Sequence, residues 1–78
     1  MSQITLSMAN AGDHCIVLEV AANQLELKSR LYALGIIPGI ALEILRFAPL
    51  GDPMQVKAGS SFISIRKQEA HAILVKIQ

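Results

Sequence analysis

The sequence predicts a mainly β domain, a small barrel of about five strands with one α-helix after the first strand. Three observations predict it. Short apolar or alternating runs recur along the chain, each bounded by Gly, Pro, Asn or Ser. Only one stretch, Gln24 to Leu34, carries helical spacing. The connections between runs are short and rich in turn residues, as antiparallel neighbours require. The 78 residues are expected to form one domain, residues 1–78, burying little more than ~60% of the unfolded surface.

The first strand is read at Asp13–Val20, a β-branched run behind the breaker Gly12. Asn23 then offers a helix N-cap, with Glu26 in the capping-box position three residues on. Leu27, Leu31 and Leu34 form one apolar stripe, and Gly35 stands where a left-handed residue closes the helix. Ile36 is expected to fold back onto Leu31, with Pro38 blocking continuation and Pro38-Gly39 turning the chain. Ile40, Leu42 and Ile44 then alternate along a strand to Phe47, broken at Arg46 by an expected twist or bulge. Two prolines exclude regular structure from Ala48 to Pro53. Met54–Ala58 and Ser61–Arg66 read as a hairpin about a Gly59-Ser60 turn of the Gly-first kind. Lys67–Ala72 has room for one helical turn before a last strand, Ile73–Ile77. Strands this short, with one early helix, suggest a barrel of SH3-like shape whose closure removes exposed edges.

Composition excludes several classes of function. Hydrophobic residues make up 53% of the chain and mean hydropathy is +0.47. Every apolar run is nevertheless cut by Glu, Lys, Gly or Pro well short of a membrane span, so no direct membrane insertion is expected. Met1-Ser2-Gln3 does not open a secretory signal, and a single Cys15 makes no internal disulfide, which favours a reducing cytoplasm. Seven basic and six acidic residues are scattered, with only Arg66-Lys67 adjacent and no flanking aromatic, so no nucleic-acid partner is expected. With no Trp and three other aromatics, the aliphatic excess is more than a small sphere hides, and part of it is expected to face a partner.

Catalytic residues are not found. The chain has no GxxxxGK[ST] or GxGxxG phosphate loop and no GxSxG elbow. His14 and Cys15 are adjacent, so within a strand they point to opposite faces and do not act as a pair. The candidate metal ligands are His14, Cys15 and His71, near Asp13 and Glu69, without CxxC or HxxxH spacing. No cofactor is required on this reading. A divalent transition ion such as Fe²⁺ or Zn²⁺ is the alternative, held by ligands assembled in the fold or between the protomers of a homodimer.

The Pro49–Pro53 loop either serves as a rigid connector or presents Leu50, held between two φ-restricted residues, to a partner. On the second reading the surface comprises Pro49, Leu50, Gly51, Asp52 and Pro53, with Leu25 and Tyr32 off the main helix stripe and Arg30 and Arg46 flanking.

These residues also add up to a resemblance. Arg30-Leu31-Tyr32-Ala33-Leu34-Gly35-Ile36-Ile37-Pro38-Gly39 resembles the RL-x-x-LG-x-x-PG signature of the FeoA family of bacterial ferrous iron transport proteins. Arg46 to Pro53 is similar to that family's R-x-APLGDP loop, and Ile65 to Val75 to its LR-x-x-EA-x-x-I-x-V ending. Ile65 stands where Leu is usual. The resemblance implies an SH3-like barrel and a small cytosolic accessory protein that binds the cytosolic G domain of FeoB, the membrane transporter. Nucleotide chemistry would then belong to the partner. The same fold ends DtxR-type repressors, but no helix-turn-helix precedes it here, so the free-standing form is expected.

Overall fold

A computed structural model describes residues 3–78; Met1 and Ser2, used above in the signal-peptide reading, lie outside the described residues. Six strands form one antiparallel sheet: β1 (Gln3–Thr5), β2 (His14–Val20), β3 (Ala41–Phe47), β4 (Met54–Ala58), β5 (Ser61–Ile65) and β6 (Ile73–Ile77). Helix α1 (Leu25–Ala33) follows β2, and the four-residue α2 (Lys67–Ala70) links β5 to β6. The strands run in the order β1-β6-β2-β3-β4-β5.

Alternation explains the core, provided two irregularities are counted. In β2, Cys15 and Val17 point inward, and a register shift between Val17 and Glu19 then brings Val20 inward too. In β3, Leu42 and Ile44 point inward and the shift between Ile44 and Arg46 turns Phe47 towards the core. Val56, Ile63, Ile65, Ile73 and Val75 come from the other strands, and Leu31 and Ile36 from the helix and its exit, to complete one cluster. The bulge at Arg46 was expected from the broken alternation. The one in β2 was not, because an unbroken apolar run hides its period.

The helix exit follows the sequence reading. Gly35 has φ +94°, the Ile36 N–H donates to the Leu31 carbonyl at 2.9 Å, and the Gly35 N–H donates to the Tyr32 carbonyl at 3.0 Å. That pair of bonds is a Schellman motif, and both Leu31 and Ile36 are fully buried. Pro38-Gly39 makes the expected turn: the Ile40 N–H donates to the Ile37 carbonyl, while the Gly39 N–H reaches the Val17 carbonyl at 2.7 Å and pins the turn to β2.

The mainly β fold with one main helix is as expected, and four of its details differ. The N-cap of α1 is Gln24 and no side chain bonds to it, so Asn23 and Glu26 form no capping box; the helix starts one residue too late for that spacing. Leu34 is exposed at the C-cap, and Ile36 takes its place in the core. The described residues hold six strands, the additional one being the three-residue β1 along β6, so α1 follows the second. The sheet also keeps two ends, β1 and β5, so edges remain.

Candidate functional surface

The loop between β3 and β4 is built as a tied turn. Pro49 sets φ at the second position, and the Gly51 N–H donates to the Ala48 carbonyl at 2.8 Å. This places Leu50 at the third position with φ +73° and ψ 4°, the one non-Gly residue with positive φ among the described residues. A turn of this type ordinarily has Gly or Asn there, because Cβ crowds the backbone. The Ala48 N–H donates to the Pro53 carbonyl at 2.9 Å and closes the base. The peptide bond between Asp52 and Pro53 is cis. Leu50 is 104% exposed at the tip.

Each charge expected beside this loop is engaged within the chain. The Lys67 N–H donates to Asp52 Oδ1 at 3.0 Å, so Asp52 satisfies one of the unpaired donors that open α2. Arg46 Nε donates to Gln55 Oε1 at 2.8 Å on the neighbouring strand. Arg30 forms an ion pair with Glu69, whose side chain is only 9% exposed, and the second Glu69 oxygen accepts from the Arg66 N–H at 3.0 Å. A short helix at the centre thus holds the loop by one end and α1 by the other. No hydrogen bond joins the loop to α1 directly; α2 stands between them.

Apolar side chains also stay exposed on both sides of α2. Leu25 on α1 is 77% exposed, and Tyr32 is exposed with Lys28 Nζ lying 5.9 Å from its ring centroid. Two residues that sequence reading missed join the loop side. Met8, 68% exposed, and Phe47 line a depression of about 290 Å³ with Gly51 and Met54. Met8 sits in a single helical turn, Leu6–Met8, where three residues carry no period that would have marked it. Glu69 was read as a motif position and beside the metal candidates, and nothing in the sequence told its near-burial apart from a solvated carboxylate.

The metal candidates are not brought together. His14 opens β2, next to β6's C-terminal end, whereas His71 lies just before β6 begins, at the opposite end of the sheet. His71 Nδ1 is within 2.9 Å of Ser7 Oγ, which in turn lies 2.8 Å from Thr5 Oγ1. Cys15 is buried, and desolvation, aided by the nearby Asp13 charge, pushes its thiol up to about 11. The thiol of the chain alone therefore stays protonated at neutral pH. Among the described residues no three His, Cys, Asp or Glu side chains gather around one point. No helix among them is long and apolar enough to cross a membrane.

Comparison with known proteins agrees with this geometry. The FeoA domain model matches residues 4–77. A FeoA protein from Chlorobium tepidum shares 42% identity and superposes with a TM-score of 0.87, over 95% of this chain and 70% of that one. Iron(II) transport protein A from Clostridium thermocellum shares 35% identity with a TM-score of 0.88; 95% of this chain covers 45% of that one. A Stenotrophomonas maltophilia FeoA crystallised with zinc and described as an SH3 domain protein shares 25% identity with a TM-score of 0.81, over 94% and 89% of the two chains.

Proposed function

This chain belongs to the FeoA family, associated with ferrous iron transport, and from that premise we propose that it is a non-catalytic cytosolic adaptor. Its partner is the cytosolic part of a FeoB-like transporter, and Leu50 is its principal contact. The observation that carries this reading is Leu50 itself. A fully exposed aliphatic side chain in a left-handed conformation gives the fold nothing, and such strain concentrates at binding sites. Pro49 and the two backbone bonds of the loop fix its shape in advance, which lowers the entropy lost on binding. The depression beside it adds the exposed Met8, with Ser7, Asn10 and Lys67 as polar groups around it.

The test is Leu50→Asp, with folding followed by thermal melt and binding by pull-down on the transporter's cytosolic domain. Asp tolerates positive φ better than Leu, so the melt is expected to stay unchanged or rise. A carboxylate buried without a partner costs several kcal/mol, so binding is expected to vanish. Normal binding by the folded variant refutes the assignment.

The alternative, a transition-metal carrier or metal-dependent dimer, finds less support. Zinc in the Stenotrophomonas relative motivates it. His14, Cys15 and His71 do not fit one ion within a chain, because the two histidines lie at opposite ends of the sheet and Cys15 is buried.

A further inference from the structure

The open edge of β5 differs from an ordinary protected edge. Proteins blunt terminal strands with Lys, Pro, bulges or a covering segment. Ser61–Ile65 holds no charge and no proline, pairs with β4 without a register shift, and exposes Phe62 at 72% on the outer face. Its hydrogen-bonding parity follows from the hairpin. Ala58 and Ser61 flank the two-residue Gly59-Ser60 turn, with φ +63° at Gly59, so they exchange bonds, as do Val56 with Ile63 and Met54 with Ile65. Phe62 and Ser64 therefore turn their N–H and C=O groups away from β4. Among the described residues, no backbone or side-chain bond engages them.

We propose that β5 pairs antiparallel with β5 of a second copy about a two-fold axis at Ile63. In that register Phe62 lies opposite the second copy's Ser64 and Ser64 opposite the second copy's Phe62. Both are hydrogen-bonded pairs, so the four free donors and acceptors on each side are matched. The outer row then continues as Lys57, Phe62, the second copy's Ser64 and the second copy's Gln55, with no like charges opposed. Arg66 falls opposite the second copy's Ser60, which keeps the two Arg66 side chains apart. A second copy fits this edge because the strand is self-complementary: it is neutral, its free backbone groups at Phe62 and Ser64 are spaced equally about Ile63, and the two-fold sets a small Ser opposite each Phe. The inference does not rest on the transporter reading, which uses the β3–β4 loop rather than the outward backbone groups of β5.

The test is sedimentation equilibrium of the full chain from micromolar to millimolar concentration, beside Ser64→Pro. Proline here removes only an outward N–H, a position edge strands tolerate. The wild-type mass is expected to climb towards a dimer, and the variant to associate at least about tenfold more weakly, having lost one hydrogen bond from each copy. A wild type that stays monomeric, or a variant that associates equally, overturns the proposal. Should the variant not fold, amide exchange of the wild type decides. Phe62 and Ser64 amides that slow with concentration support the pairing, and amides that do not, or that slow only when another protein is added, refute it.

Discussion

Replacing Gly35 by Ala isolates the energy of a single backbone angle. A Cβ built at Gly35 meets no atom within 4 Å, so no steric clash with neighbours enters the result. What remains is φ +94°, which an L-residue adopts at a cost of about 1–2 kcal/mol. Ala also stiffens the unfolded chain, returning about 0.4–1 kcal/mol. The net loss is therefore about 1 kcal/mol, or about 4–8 °C in melting temperature for a domain of this size. Urea unfolding is the assay: the midpoint falls while the slope is unchanged, because the surface exposed on unfolding is the same. An Ala variant as stable as the wild type refutes the left-handed exit. So does a loss of several kcal/mol, which would mean that the two Schellman bonds had been broken as well as strained.

Glu69→Ala and Arg30→Ala are each expected to destabilise by about 1–3 kcal/mol in the same assay, because the first strips the Arg66 N–H of its acceptor and the second leaves the nearly buried Glu69 carboxylate without its counter-charge. For Cys15, the folded thiol titrates at about 11 against an ordinary 9.0. As pH rises through 9 the unfolded chain loses its proton first, so unfolding free energy falls between about 9 and about 11. Melts across that window show a smaller fall in Cys15→Ala, and equal slopes would contradict the burial. The same variant leaves any zinc affinity unchanged in titration calorimetry, whereas a loss would restore the thiol as a ligand.

Much of this molecule was legible because its turns are chemically specific. Gly35 before Ile36, Pro38-Gly39 and Gly59-Ser60 each demand a backbone that few residues supply, and each strand between them follows from a period of two. The bulge at Arg46 was visible because it broke an alternation, whereas its counterpart in β2 sits in a run apolar on both faces. Three-residue β1 is too short to show a period, and its existence depends on a partner some seventy positions away, as the Gln3–Lys76 pairing makes plain. At the functional surface, Leu50 and its prolines announced themselves. The free or engaged state of Arg30, Arg46 and Asp52 did not, since an ion pair or a cap is decided by tertiary distance, and the sequence records only charge. Met8 and Phe47 joined the surface for the same reason.

Helix α2 is four residues long, and a single turn does not persist in water on its own. It survives because Asp52 grips its first amide while Glu69 is clasped by Arg30. That makes it less an element than a rivet between the loop and α1. A ligand that draws Asp52 away is expected to free the Lys67 amide and to loosen the Ala70 amide that bonds to the Arg66 carbonyl, so that both exchange faster with solvent. Those few protons are therefore a built-in strain gauge, readable by hydrogen exchange, for any ligand that seizes the loop.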